Sequence, residues 1–388
     1  MLTFDGAGDR YRVVVAGGGV AGLETVLALR ELAGDRVAVT LLAPTTEFVY
    51  RPQAVREPFA LGPADRYDLC EMADDLGAEL VVDRLSWIDP AGRMAHTSAG
   101  HALAFDALVV AVGARMLARH PLALTIDPER IDDQLHGLIQ DVESGDVRSI
   151  AFIVPAGRTW LLPPYELALM TAQRAYDAQT RVQVSVVTSE DEPLGVFGKG
   201  ASTGVKSLLD DAGIEVVPTA SVQMPSAGRI TVTTSASPLR ADRVVAMPEL
   251  HGPPVRGLPA GAHSLIPIDP YCRVRGLEDV YAAGDATDYP IKHGGVSAQQ
   301  GVTAAYGIAA RAGAPVMPRT LRPSIRAVLM TGAKPRYLSA RVAGDSGILS
   351  EISETPGWSP PDKIVADHLT DYLAERPRRA PAAAGERR

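Results

Sequence analysis

Residues Tyr11 to Ala16 read as a strand that runs without a break into Gly17-Gly18-Gly19-Val20-Ala21-Gly22. A helical pattern follows from Leu23 to Leu32, stopped by Gly34, and then a second apolar run, Val37 to Leu42. A strand with no polar alternation is buried on both faces, as in a parallel sheet covered by helices. Strand, turn, helix and strand in this register make a βαβ unit. The spacing Gly17-x-Gly19-x-x-Gly22 falls at its turn. There the first glycine permits a tight turn, the second a close approach of backbone to phosphate, and the third close packing of helix on strand. The helix start also offers N–H donors and about half a unit of positive charge to an anion. This segment therefore constrains the chain to an α/β fold with a dinucleotide-phosphate turn.

One position departs from that pattern. The acid that grips a ribose belongs about 20 residues on, at the end of the second strand. Here the sequence is Leu41-Leu42-Ala43-Pro44. Glu47, Thr45, Thr46 or backbone groups would have to substitute, or the ribose is held loosely.

The rest of the chain divides by pattern. Residues 79–110 read as short strands joined by turns such as Asp89-Pro90-Ala91-Gly92, ending in the buried run Phe105 to Ala114. A second α/β unit follows. It has strands at Arg148–Val154, Val182–Thr188 and Ile214–Val217, helices at Tyr165–Ala178 and Lys199–Ala212, and further strands in 229–247. The Pro/Gly-rich stretch 248–262 reads as a crossover back to the first unit. Val280-Tyr281-Ala282-Ala283-Gly284-Asp285 is then a buried strand entering a Gly-Asp turn, and Gly295 to Ala312 a small-residue helix. The remainder, 313–388, is Pro-rich and less regular. The expected domains are 1–118 with 248–312, then 119–247, a C-terminal segment 313–375, and a disordered basic tail 376–388.

With these residues in view, the chain resembles the FAD-dependent pyridine nucleotide-disulfide oxidoreductase superfamily. The segments VVVAGGGVAGLE, FDALVVAVGA and DVYAAGDATDYPIKHGGVSAQQG carry the resemblance. Phe48-Val49-Tyr50-Arg51-Pro52, Pro164 to Ala168, Glu190 to Phe197 and Trp358 to Ile364 bring it closer to the sulfide:quinone oxidoreductase branch, which includes the flavoprotein subunit of flavocytochrome c sulfide dehydrogenase. The resemblance spans roughly residues 10–375. It implies two Rossmann-like domains with three-layer, mostly parallel sheets, a small β-meander, and FAD held by two discontinuous segments. The cofactor contacts it implies are Gly17, Gly19, Val20, Ala21, Gly22, Ala43, Arg51, Ala111, Gly113, Gly284, Asp285, Lys292 and Gly295. Asp285 would bond the ribityl chain. Lys292 and the following helix start would stabilise negative charge on the reduced flavin.

The departures bear on the substrate. Sulfide-oxidising members use thiols beside the flavin, because the thiolate is the nucleophile. The chain has two cysteines, Cys70 and Cys272, and neither falls at such a position; both read as free structural thiols. Type II NADH dehydrogenases carry a second glycine fingerprint, but the strand ending at Val154 here meets Pro155-Ala156-Gly157-Arg158, and Pro155 lacks an N–H. Arg158 is a candidate for an anion or for the surface. Tyr50, Trp160 and Tyr165 are candidate pocket walls, and Lys292, Trp160 and Tyr165 the candidate catalytic groups. His293 reads as a proton relay or, more simply, a surface or helix-capping group. Glu166 reads as a helix-start carboxylate.

Composition narrows the partners. The formal charge of −8 argues against a broad nucleic-acid surface, and two cysteines cannot build a disulfide framework. No metal ligands stand out. No signal segment or bilayer-spanning run is apparent. Ile364 to Leu373 reads as one short amphipathic helix, giving at most peripheral membrane contact. The expectation is a cytoplasmic enzyme, with attachment to the inner membrane face left open. It takes electrons from a small-molecule donor and passes them to a quinone or another acceptor, and a homodimer is one assembly open to it. An NAD(P)H-dependent flavin reductase with an atypical nicotinamide site and a flavin-binding sensor or scaffold are the alternatives.

Overall fold

A computed structural model of the chain describes residues 10–232, 239–342 and 348–379. The first sheet has five parallel strands in the spatial order Val280–Ala282, Ala107–Val110, Tyr11–Ala16, Val37–Ala43 and Glu79–Val82. Val13 to Ala16 and Ala107 to Val110 are buried throughout, which is why neither strand alternates. The helices Val20–Ala33 and Gly294–Arg311 pack on each other at very short range. A Cβ at Gly301 would lie 2.6 Å from the Ala21 carbonyl oxygen, so that position has to be glycine. The return of the chain at Val280 sets the Gly284 turn beside the Gly17 turn, outside the carboxyl ends of the strands. Ligands of open parallel sheets bind there.

The second sheet is also parallel, in the order Leu124–Thr125, Arg243–Ala246, Ser149–Val154, Gln183–Thr188 and Glu215–Val217. Its helices are Ile131–Ser144, Leu162–Asp177 and Lys199–Asp211. Two antiparallel crossover strands, Arg115–Leu117 and Glu249–His251, lie where the chain leaves and re-enters the first unit. A three-stranded antiparallel meander, Leu85–Asp89, Met94–Thr97 and Ala102–Ala104, completes the α/β class expected from the sequence.

The C-terminal part is more regular than its prolines suggest. Ser324–Leu329, Arg336–Val342 and Ile348–Ser353 form an antiparallel sheet. Ile325, Ala327 and Leu329 alternate inward, and a Cβ at Gly204 of a second-unit helix would meet Ile352 at 2.3 Å. The amphipathic stretch 364–373 is helical only from Leu369 to Ala374. Its apolar residues Ile364, Ala366, Leu369 and Leu373 are buried in the core of the first unit. Glu24, fully buried, accepts hydrogen bonds from the N–H groups of His368 (3.0 Å) and Leu369 (2.7 Å) and so holds that helix start. Arg376, Arg378 and Arg379, read from the sequence as the start of a loose tail, pair with Asp75, Asp65 and Asp68. The rest of that tail, 380–388, lies outside the described residues. Among the described residues no helix is long and apolar enough to cross a membrane.

Candidate active site

The glycine turn is built by close backbone approach. Gly17 has φ +128°, and a Cβ there would sit 2.1 Å from the Ala111 carbonyl oxygen; one at Gly22 would sit 1.8 Å from the Gly17 carbonyl oxygen. Gly19 is different, with no heavy atom within 4 Å of the space its Cβ would fill. It begins the helix without a side-chain cap, and no acid lies in the first turn. Helix-start N–H groups without a cap remain available to an external anion. Gly17 and Gly22 thus shape the turn from below, while Gly19, Val20 and Ala21 line an open cavity of about 360 Å³, within the range of small-molecule sites.

The Gly-Asp turn forms the opposite wall. Gly284 (φ +80°) donates its N–H to Gln300 Oε1 at 2.7 Å, which fixes the turn on the Gly294–Arg311 helix. Asp285 Oδ2 accepts a hydrogen bond from the Trp160 indole at 2.9 Å, across the two units. Burial pushes the Asp285 carboxyl above the usual range, opposed by Lys292 and the Trp160 bond. Lys292 donates to the carbonyl oxygens of Asp285 (3.1 Å) and Thr287 (2.5 Å) and is 6% exposed. Burial lowers its pKa to about 8, against the opposite pull of Asp285. His293 is the cap: its Nδ1 accepts the Gly295 N–H at 3.1 Å, and burial lowers its pKa to about 4, so it caps as the neutral ring.

A third wall comes from the second unit and the C-terminal segment. Lys363 Nζ lies 2.7 and 2.8 Å from the two Glu166 oxygens, and Oε1 also accepts the Met330 N–H at 2.9 Å. Burial drives the two groups toward neutrality, Glu166 upward and Lys363 downward, and their mutual attraction opposes this. Phe197, Ile364 and Ile325 complete an apolar lining.

Most of the residues singled out from the sequence meet here: Arg51, Ala111, Gly113, Trp160, Gly284, Asp285 and Lys292 all line the cavity. Several do not. Tyr165 is fully buried away from it and donates to Glu190 at 2.6 Å, which removes it as a catalytic candidate. Its neighbour Glu166 is about 100° round the helix and faces the cavity, so its carboxylate serves an ion pair rather than the helix dipole. Tyr50 is buried as well; its hydroxyl accepts the Ile364 N–H at 2.8 Å and anchors the C-terminal segment. Ala43 is fully buried against Gly18 and does not line the cavity. Glu47, a substitute for the missing ribose acid, is engaged by Arg66. Gly295 is buried within the helix and does not line the cavity, whereas Gly294 does. Arg51 stands at the mouth, paired with Glu129.

Cys70 is exposed on the short helix Leu69–Asp75, and Cys272 is buried, its thiol pushed up by burial; neither lines the cavity. Sequence reasoning gave Lys363 no role, although it lies within the resembling segment Trp358 to Ile364. It also missed the group Glu249, His251 and His263, whose only sequence trace is the Glu-x-His spacing on one strand face.

Residues 11–305, most of the chain and both glycine turns, match the family described as pyridine nucleotide-disulphide oxidoreductase. The chain belongs to that family. The family is one of oxidoreductases and typically binds flavin. Among curated relatives, a sulfide-quinone reductase of Aquifex aeolicus is 26% identical over 210 residues, covering 51% of this chain and 47% of that protein. The chain thus matches about half the length of that relative. An NADH dehydrogenase-like protein of Mycobacterium tuberculosis is 29% identical over 297 residues, 71% of this chain and 72% of the relative. Among solved structures, the sulfide:quinone oxidoreductase of Aquifex aeolicus superposes with a TM-score of 0.77 at 19% identity, covering 89% of this chain and 87% of that one. A NAD-dependent persulfide reductase of A. fulgidus gives 0.61 at 18% identity, with 87% and 65% covered. At these identities the structural likeness establishes the fold of this pyridine nucleotide-disulphide oxidoreductase.

Proposed function

We propose that the protein binds FAD across the two glycine turns and passes two electrons from a small-molecule donor to a quinone or another carrier, without an enzymic thiol taking part. One observation carries this reading. Gly19–Ala21 and Gly284–Asp285, far apart in sequence, face one cavity that holds an open glycine cradle and an uncapped helix start but no cysteine.

The residues present fit the cofactor. Gly19, Val20 and Ala21 would hold the pyrophosphate, Asp285 the ribityl chain, and Lys292 with the Gly294 helix start the ring end. FAD supplies two-electron acceptance and delivery when bound. The protein's part is electrostatic and steric. Lys292, fixed by two carbonyls, would supply positive charge to a reduced, negatively charged ring. Trp160, Phe197 and Ile364 exclude water. Glu166 and Lys363 hold a proton between them at the cavity wall. Met116 lines the cavity and is exposed, as are Leu117, Leu122 and Leu124 beyond it, apolar side chains suited to a lipophilic acceptor.

The purified protein should be yellow, with one FAD per chain. Under anaerobic conditions sulfide should bleach it slowly or not at all, and a short-chain quinone should reoxidise it after chemical reduction. A colourless protein that takes up no FAD overturns the whole reading; rapid bleaching by sulfide with quinone-dependent recovery overturns the thiol-independent part. A second reading, hydride from NAD(P)H, is favoured by the NADH dehydrogenase-like relative. Gly157 at φ +120°, between strand and helix of the second unit, also supports it. Prompt flavin reduction by NADH or NADPH in stopped flow would select that donor.

A further inference from the structure

Outside the cavity, the crossover strands pair Leu117 with Glu249 and Arg115 with His251. Side chains two apart on a strand share a face, so Glu249 and His251 point the same way. The chain then loops back onto them. Gly252 donates its N–H to the His263 carbonyl oxygen at 2.9 Å, and a Cβ at 252 would lie 1.8 Å from the Ser264 carbonyl oxygen. This close return sets His263 Nδ1 3.0 Å from Glu249 Oε1, with His251 Nε2 3.7 Å from the same oxygen. The three ligand-type atoms lie within 4.8 Å of one another.

Three observations distinguish this group from an ordinary polar cluster. Glu249 is 6% exposed, and both imidazoles converge on the same one of its carboxylate oxygens; a buried carboxylate needs such partners. His263 and Ser264 hold φ of +54° and +57°, a left-handed conformation uncommon outside glycine and kept where surrounding structure imposes it. The spacing also suits coordination. Ligands bound tetrahedrally at ~2.0–2.1 Å stand about 3.4 Å apart, which lies between the two distances seen here. Arg119 approaches the other carboxylate oxygen, Oε2, at 3.5 Å, so Oε1 is the oxygen turned to the histidines.

We propose that Glu249, His251 and His263 bind one divalent transition-metal ion of the zinc class. Two imidazoles and a carboxylate suit a borderline cation rather than a hard one such as Mg²⁺. Three protein ligands leave a fourth position for water. The ion ties the crossover strand to the returning loop. It also underpins the second-unit turn, because the missing Cβ of Gly157 leaves 3.1 Å to Glu249 Oε1. The site is independent of how the flavin cavity is read.

The test uses the untagged full-length protein after chelator treatment and dialysis. Calorimetric titration with ZnCl₂ should give one site per chain, and MgCl₂ none. CoCl₂ should produce the visible absorption of four-coordinate cobalt. His263→Gln and His251→Gln should each weaken zinc binding at least tenfold and abolish the zinc-dependent rise in Tm. Both side chains are partly exposed, so these variants test the ligands without emptying the core. Absence of one-site zinc binding in the wild-type protein, or undiminished binding in His263→Gln with its circular dichroism unchanged, would overturn the proposal.

Discussion

Two glycines in one fingerprint do different work, and substitution separates them. At Gly17 an alanine would need a left-handed φ and would collide with the Ala111 carbonyl. Gly17→Ala should lose more than about 2 kcal/mol in urea unfolding. At Gly19 the backbone is extended and the space is open. Gly19→Ala should therefore cost no more than about 1 kcal/mol, the weaker cap being offset by the stiffer unfolded chain, yet weaken FAD binding, because the methyl occupies the cradle. Equal losses of stability in the two variants would contradict this division. Lys292 supplies a pH signature in the flavin-free protein. The unfolded chain keeps that proton to about pH 10.4, whereas burial brings the folded value to about 8. Between those values the unfolded state binds more protons, so this group makes stability rise with pH across the window and costs stability below it. Lys292→Met should remove that rise, seen as a wild-type-minus-variant difference in urea midpoints between pH 7 and 10.

At the scale of elements, the Glu166–Lys363 pair joins the Leu162–Asp177 helix to the C-terminal segment with side chains 1% and 9% exposed. Removing one partner from such a pair costs about 3–5 kcal/mol, because the other charge stays buried. Lys363→Met should show that loss. Glu166→Gln/Lys363→Met should recover much of it while keeping an acceptor for the Met330 N–H; a double variant no better than the single would refute the pairing argument. The elements themselves were readable in proportion to their periodicity. Tyr11–Ala16 has the bounds that the sequence gives it, and the Lys199 helix ends one residue before the expected Ala212. The helix expected from Tyr165 begins at Leu162, because Pro163 and Pro164 fit a first turn that needs no N–H. The sheet from Ser324 to Ser353 was hidden by flanking prolines, although Ile325, Ala327 and Leu329 carry its alternation. Which side chains face the cavity was less legible than the turns around it. Tyr165 and Glu166 are adjacent letters with opposite fates, and only the helix rotation separates them.

At the scale of the whole molecule, the cavity is assembled from stretches of chain that lie far apart in sequence. The Gly17 turn, the Gly284 turn and Lys363 meet because Val280–Ala282 pairs with Ala107–Val110 and because Tyr50 and Glu24 hold the last segment onto the first unit. Local patterns announced each turn, but no local pattern could announce the contacts among them; Trp160 meeting Asp285 is one such contact. The same arrangement sets a schedule for synthesis. Strand Ala107–Val110 leaves the ribosome with one edge unpaired, and its neighbour ends at Ala282, 172 residues later (282 − 110). At about 5–20 residues per second, that edge waits roughly ten to thirty seconds in the cell, so the nascent protein needs either a chaperone over the open edge or a second unit that folds first and shelters it.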